Sequence, residues 1–99
     1  MRLGALLSFT DGNNPNAFVD QARQFESEGY SSIWMAHATG RGFMLSDPFV
    51  ALSAVAAVTE NVEIGTAILQ LPLYNPSDIA LKTWSLQQLS GGRFVLGVG

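Results

Sequence analysis

Apolar runs and helical stripes alternate along the chain. Four short apolar runs lie at residues 3–9, 31–36, 62–73 and 93–99, and each predicts a strand. The third run is too continuous for a strand with one wet face, so it favours a strand covered on both faces, as in a parallel sheet. Gly65 inside this run indicates either tight packing against a helix or a close approach by a ligand.

Three segments between the runs have the spacing of amphipathic helices. Each opens with a capping residue followed by proline, at Asn14-Pro15, Asp47-Pro48 and Asn75-Pro76. The expected buried stripes are Phe18, Ala22 and Phe25, then Phe49, Leu52, Val55 and Ala56, then Ile79, Leu86 and Leu89 with Thr83. Glu26, Lys82, Gln87 and Gln88 are expected off these stripes. The predicted helix ends are Gly29, then Thr59-Glu60-Asn61, where the Asn is able to take a left-handed turn, and then Gly91-Gly92.

The strand–helix unit recurs at about 30 residues, which is the length of a βαβ unit. Such alternation predicts a parallel sheet with helices outside. Two architectures remain open on this evidence: a (β/α)8 barrel and a doubly wound open sheet.

Composition narrows the class of protein. The 99 residues allow one small domain, and only 13% of them are charged, about half the usual share. So few charges predict core-rich material from a larger unit, or one half of an assembly. The net charge of -3 argues against a nucleic-acid partner, and the absence of cysteine agrees with a cytoplasmic protein. No run approaches a membrane span, and the N-terminus predicts a strand and not a signal peptide.

Candidate chemistry collects at the carboxyl ends of the predicted strands, where both architectures place their sites. The single histidine, His37, falls there, and a hydrogen-bonded structural histidine and a donor to a cofactor or substrate are equally good interpretations. The following loop contains Phe43 and Met44, which are candidates to line an apolar substrate cavity. Asp47 is expected to be a helix cap. Trp34 and Trp84 are expected in the core.

Two other kinds of site find less support. One histidine without cysteine makes no metal constellation. Gly97-Val98-Gly99 after the fourth strand has the form of a dinucleotide loop, although such a loop usually follows the first strand.

The segments GYSSIWMAHA and DPFVALSAVAAVTENVEIGTAILQLPLYNPSDIALKTWSLQQLSGGRFVLGVG resemble the N-terminal part of the bacterial luciferase-like superfamily. That group contains flavin-dependent monooxygenases and coenzyme F420-dependent oxidoreductases. The resemblance implies a (β/α)8 barrel that binds FMN or coenzyme F420 at the carboxyl ends of its strands. It also implies a non-prolyl cis peptide behind the cofactor ring, at Ala67-Ile68, with Thr66-Ala67 as the one-residue alternative.

Specific roles follow from the resemblance. Thr66, Ala67 and Ile68 are expected to contact the cofactor, and His37 is expected to be catalytic and to lie near the ring. Phe43 is expected to contact a small organic substrate. A choice between monooxygenase and reductase stays open.

Residues 1–99 are therefore expected to be the N-terminal part of a luciferase-like barrel, with about four strands and three helices. Such a piece is expected to be inactive alone and to associate with the other half of the barrel or with copies of itself. Two alternatives are kept: a non-catalytic, self-associating half barrel, and a different α/β enzyme that binds a dinucleotide at Gly97-Val98-Gly99.

Overall fold

A four-stranded parallel sheet organises the chain. The computed structural model describes residues 2–7, 17–37 and 46–99. The strands are β1 (Gly4–Leu6), β2 (Ser32–Met35), β3 (Glu63–Thr66) and β4 (Phe94–Val95). They pair in parallel in the order β1-β2-β3-β4. Spatial order therefore equals chain order, without the reversal that defines a doubly wound sheet. This winding is that of a (β/α)8 barrel.

Three helices, α1 (Ala17–Ser27), α2 (Pro48–Val58) and α3 (Pro76–Leu89), connect the strands. The Asp47 side chain accepts the N–H of Val50, and the Asn75 side chain accepts the N–H of Ser77. Both predicted caps are therefore confirmed, because each satisfies an amide that the first helical turn leaves unpaired. The third predicted start, Asn14-Pro15, lies outside the described residues.

The core lies between the helices and one face of the sheet. Its fully buried side chains come from alternate strand positions and from α1 and α2, as expected for a two-layer unit. They include Ala22, Ile33, Met35, Leu52, Val55, Ile64 and Leu69, each 0% exposed.

The opposite face of the sheet carries the indole of Trp34 on β2. Its indole Nε1 donates to Ser32 Oγ at 2.9 Å. A Cβ on Gly65 would lie 2.4 Å from Trp34 Cζ3, and one on Gly4 would lie 2.8 Å from Nε1. The indole thus lies across three strands, and the two glycines make room for it.

The third apolar run is not one strand, which corrects the prediction for residues 62–73. β3 ends at Thr66, and beyond it Leu69 forms a single bridge with Val98. Leu71–Leu73 form a 3-10 turn, with Leu73 60% exposed. Pro72 has no N–H for a strand ladder, so the chain leaves the sheet before it.

Four further expectations about the helices do not agree with the structure. Leu89 is 54% exposed and borders the cleft between α2 and α3, and Trp84 is 62% exposed on another side of α3. Asn61 is not left-handed, because every described residue with positive φ is a glycine. Gln87 does not point away from the sheet. Its amide exchanges two hydrogen bonds with the backbone of Phe94, at 2.8 and 3.2 Å, and so continues the ladder beside β4.

The amino ends of the strands are held by Arg93. Its Nε donates to the carbonyl of Ser90 at 2.6 Å. Nη1 donates to Thr59 Oγ1 and to the carbonyl of Val62, and Nη2 donates to the carbonyls of Ala56 and Thr59. One planar guanidinium therefore satisfies the carboxyl end of α2 and joins it to β3 and β4.

Glu26 completes this arrangement from α1, although the helical pattern placed it off the buried stripe. Its carboxylate accepts the backbone N–H groups of Glu60, Asn61 and Val62 at 2.8–3.1 Å. Burial alone would raise the pKa of Glu26, but these three bonds and the nearby Arg93 charge together lower it below its usual value. The backbone amides of the turn between α2 and β3 thus donate to Glu26, and its backbone carbonyls accept from Arg93.

Candidate functional site

The carboxyl ends of β2, β3 and β4 meet at one rim of the sheet. The described residues there are His37, the segment 66–70 and the segment 97–99. We call this group the rim. It contains four of the five predicted site residues: His37, Thr66, Ala67 and Ile68.

Ala67 and Ile68 project from the rim between two braced positions. The N–H of Ala67 donates to the carbonyl of Met35 at 2.8 Å, and the N–H of Leu69 donates to the carbonyl of Gly97 at 2.8 Å. Leu69 is fully buried, whereas Ile68 is 51% exposed. The peptide bond between Ala67 and Ile68 is cis, so the position implied by the resemblance is confirmed and the alternative at Thr66-Ala67 is wrong.

The Thr66 hydroxyl links this segment to the chain that follows β4. Its hydroxyl donates to the carbonyl of Gly97 at 2.8 Å and accepts the N–H of Gly97 at 2.9 Å. A Cβ on Gly97 would lie 2.3 Å from the Thr66 carbonyl oxygen, so a glycine is needed for this contact. Thr66 is only 1% exposed. Its hydroxyl therefore fastens β3 to the segment after β4, and its contact with a cofactor stays a prediction.

The glycines at the end of the chain are engaged in the same way. The N–H of Gly97 is bonded to Thr66, and the N–H of Gly99 donates to the carbonyl of Leu69 at 3.1 Å. A dinucleotide loop needs such amides free to face a phosphate. The hydrogen bonding at Gly97 and Gly99 thus argues against a phosphate loop at this position.

His37 is half-buried and is anchored through one ring nitrogen. Its Nδ1 accepts the backbone N–H of Gln70 at 3.1 Å. Because Nδ1 is an acceptor, the proton of the neutral ring lies on Nε2. Nδ1 thus has the structural role of the first interpretation, since it holds the chain just beyond Ile68. Donation from Nε2–H to a cofactor or substrate stays a prediction.

Tyr74 is a neighbour of His37 that the sequence did not single out. The two ring centroids lie 5.6 Å apart, and the Tyr74 hydroxyl donates to Asp47 Oδ1 at 3.3 Å. The only local signal was an aromatic residue directly before the Asn75-Pro76 helix start, which does not by itself indicate a contact with residue 37.

The predicted substrate contact Phe43, and its neighbour Met44, lie outside the described residues. Within the described ranges, no group of three or more His, Asp or Glu side chains is arranged to hold a metal ion. Among the same residues, no helix has the length and apolar character to cross a membrane.

A groove between α3, the 3-10 turn and Leu96 lies away from the predicted site residues. Its volume is about 730 Å³. It is lined mainly by apolar side chains, including Leu71, Tyr74, Ile79, Trp84 and Leu96. Thr83 Oγ1, in the wall of this groove, is buried and has no hydrogen-bond partner among the described residues. This side of α3 thus carries the exposed indole of Trp84 and a buried hydroxyl without a partner among the described residues.

A sequence profile of the luciferase-like monooxygenases matches residues 1–99. The chain belongs to this family. The resemblance drawn from the sequence motifs is therefore confirmed over the whole chain.

Two curated relatives illustrate the range of the family. The 4-hydroxyprotoasukamycin monooxygenase of Streptomyces nodosus subsp. asukaensis is 32% identical over 83 residues, covering 82% of this chain and 22% of that protein. The F420-dependent glucose-6-phosphate dehydrogenase of Kineococcus radiotolerans is 36% identical over 93 residues, covering 86% and 27%. The chain thus spans about a quarter of the length of these relatives.

The fold agrees with a solved structure. The oxygenating constituent of 3,6-diketocamphane monooxygenase from Pseudomonas putida, in complex with FMN, superposes with a TM-score of 0.84 at 23% identity. The match covers 100% of this chain and 29% of that one. At this identity the likeness concerns the fold alone, and it supports the barrel architecture. The chain is thus similar to an F420-dependent enzyme in sequence and to an FMN-bound protein in fold.

Proposed function

We propose that residues 1–99 form part of a (β/α)8 oxidoreductase whose FMN or coenzyme F420 rests its ring against Ala67 and Ile68. One observation carries the proposal. An apolar pair of residues stands exposed at the rim, although the residues on either side of it are buried and hydrogen-bonded to neighbouring strands.

The physical argument concerns preorganisation. A flat tricyclic ring gains most from an apolar surface that is already fixed when the ring arrives. The bonds from Ala67 to Met35 and from Leu69 to Gly97 hold the projecting pair on both sides. The backbone at Ala67 and Ile68 therefore does not need to be ordered on binding.

His37 is the group of the rim best suited to act on the substrate or ring. Its Nδ1 bond to Gln70 fixes which nitrogen carries the proton, so that Nε2–H can donate to the substrate or ring. The bound cofactor supplies the hydride or oxygen chemistry, while the protein supplies orientation and a hydrogen-bond donor. Phe43 remains our prediction for a contact with a small organic substrate.

We further propose that residues 1–99 are inactive without the rest of a barrel. In the relatives, this segment corresponds to about a quarter of the protein. The apolar groove along α3, with Trp84 62% exposed, supports a face that packs against further barrel elements.

The ring contact is tested by Ile68→Glu, measured as quenching of flavin or deazaflavin fluorescence during titration of the chain. The charge would have to be buried under the ring, so we expect the dissociation constants of both FMN and F420 to rise at least about tenfold. Leu81→Glu is the matched control, because Leu81 is also an exposed apolar residue, 61% exposed, but lies on α3.

The same titrations on a chimera, in which this chain replaces the matching segment of an F420-dependent relative, test the role of the remaining barrel. We expect tighter binding and turnover only in the chimera. Equal affinity of Ile68→Glu and Leu81→Glu in both forms would refute the ring contact.

A self-associating half barrel is the second candidate, and the apolar groove along α3 favours it. Sedimentation of the chain alone distinguishes the two functions. A monomer that binds FMN or F420 supports the oxidoreductase part, whereas a stable oligomer that binds neither supports the half barrel.

A further inference from the structure

The anchoring of His37 through Nδ1 leaves the tilt of its ring to other contacts. One hydrogen bond, at 3.1 Å to the Gln70 N–H, fixes one atom of the imidazole. The ring plane is contacted by Tyr74, whose ring is inclined at 54° with centroids 5.6 Å apart. Aromatic pairs at this separation attract each other in defined orientations. The position of Nε2 therefore depends on where the Tyr74 ring lies.

Tyr74 is itself held on several sides. Its hydroxyl donates to Asp47 Oδ1, and its ring makes an edge contact with Phe49 at 6.5 Å between centroids. The ammonium of Lys82 lies 5.7 Å from the ring centroid, within the range of a cation–π contact. The backbone N–H donates to Leu71 in the 3-10 turn. The Tyr74 ring thus has a defined position among α2, α3 and the 3-10 turn.

Asp47 connects Tyr74 to the start of α2. One carboxylate oxygen caps the helix by accepting the N–H of Val50, and the other accepts the Tyr74 hydroxyl. The capping bond fixes the carboxylate, because it is tied to the first helical turn. Asp47 is therefore a rigid acceptor, and the loops before α2 and before α3 are joined through it.

Burial and nearby charges keep the Tyr74 hydroxyl protonated, so that it stays the donor in its bond to Asp47. Burial raises the pKa of the Tyr74 phenol above its usual value, and the carboxylates of Asp47 and Asp78 raise it further. The phenol therefore keeps its proton at neutral pH and remains the donor to Asp47.

We propose that Tyr74, held by Asp47, is a positioning residue that fixes the orientation of the His37 ring and thereby keeps the Nδ1 bond to Gln70, which sets the Nε2–H tautomer. The inference rests on the proposed function, in which His37 Nε2 faces the substrate or ring. It adds two residues on the elements after β2 and β3 that act through His37 without needing to touch the cofactor.

The test uses nitrogen-15 NMR of the imidazole, without any cofactor. His37 is the only histidine of the chain, so its two ring nitrogens give unambiguous signals. In the wild-type chain we expect one protonated nitrogen, Nε2, and one unprotonated nitrogen, Nδ1. In Tyr74→Phe, which keeps the ring and removes the bond to Asp47, we expect the Nδ1–H tautomer to increase about twofold. In Tyr74→Leu we expect an increase of about fivefold.

Tyr30→Phe is the matched control, because Tyr30 is the other tyrosine and packs its ring on Phe25 in α1, 5.1 Å between centroids. It should leave the tautomer ratio unchanged. A wild-type ratio in Tyr74→Phe would overturn the proposal, whatever Tyr74→Leu does. If the ratio changes but neither FMN nor F420 shifts the His37 signals, the positioning role stands and the proposed cofactor site fails.

Discussion

At the amino ends of the strands, the charged side chains of Glu26 and Arg93 bond to backbone amides and carbonyls of the turn between α2 and β3. At the carboxyl ends, the rim exposes Ile68 and holds His37 by a single bond to Gln70. In barrel enzymes, the amino end serves stability and the carboxyl end carries the site. The contrast between these two ends separates the residues that hold this fold from those we propose for its function.

The largest effect on stability is expected from Arg93→Ala. It leaves the carbonyls of Ala56, Thr59 and Val62 without their donor, so the free energy of unfolding should fall by about 3 kcal/mol. Urea unfolding measures this loss. Arg93→Lys keeps the charge without the planar fork, and it should recover less than half of the lost stability. Full recovery in Arg93→Lys would mean that charge, and not geometry, holds this end.

Gly97→Ala at the rim is expected to lower stability less than Arg93→Ala does, but to weaken cofactor binding as well. The added Cβ meets the Thr66 carbonyl oxygen, which belongs to the strand backbone and cannot move aside easily. We expect a loss of about 2 kcal/mol in unfolding free energy, together with weaker FMN or F420 binding.

Gly99→Ala is the control for Gly97→Ala. Its Cβ would lie 3.2 Å from Ile68 Cδ1, the end of a flexible side chain, so the stability should change by less than about 1 kcal/mol. If the two variants lose equal stability, the close approach of Gly97 to the Thr66 carbonyl is not what requires a glycine at position 97.

The smallest of the three stability effects is expected from Glu26→Gln, and it depends on pH. The folded pKa of Glu26 is lowered from 4.5, so its contribution is present above that pH and is lost as the pH falls below it. At pH 7 we expect a loss of about 1 kcal/mol, because half-exposed bonds to a carboxylate are worth less than buried ones. The difference in unfolding free energy between wild type and Glu26→Gln should therefore shrink as the pH falls from about 5 to about 3, because the folded protein takes up a proton on Glu26 in this range. If this difference stays constant over that pH range, the charge of the Glu26 carboxylate does not contribute to stability.

The elements that the sequence predicted well are those determined by local patterns. The caps at Asp47 and Asn75, the parallel sheet and the rim position of His37 all follow from spacing and residue type. The family motif around Gly65 located the cis bond before Ile68 as well.

What the sequence could not predict depends on pairs that are far apart in the chain. Glu26 bonds to amides 34 to 36 residues away, and His37 to an amide 33 residues away. A helical pattern treats Glu26 as a solvated charge, because it carries no information about the turn that folds over it. The burial of Trp84 was predicted wrongly for a different reason. A large apolar side chain is usually expected in a core, but Trp84 borders the groove along α3.

Amide hydrogen exchange of the chain with and without FMN or F420 tests the central claim most directly, because it examines both ends of the sheet in one experiment. The account predicts that either cofactor slows exchange at Ala67, Ile68 and Gln70 and leaves Asn61 and Val62, bonded to Glu26, unchanged. Protection confined to the amino ends or to α3, with the rim unaffected, would contradict it.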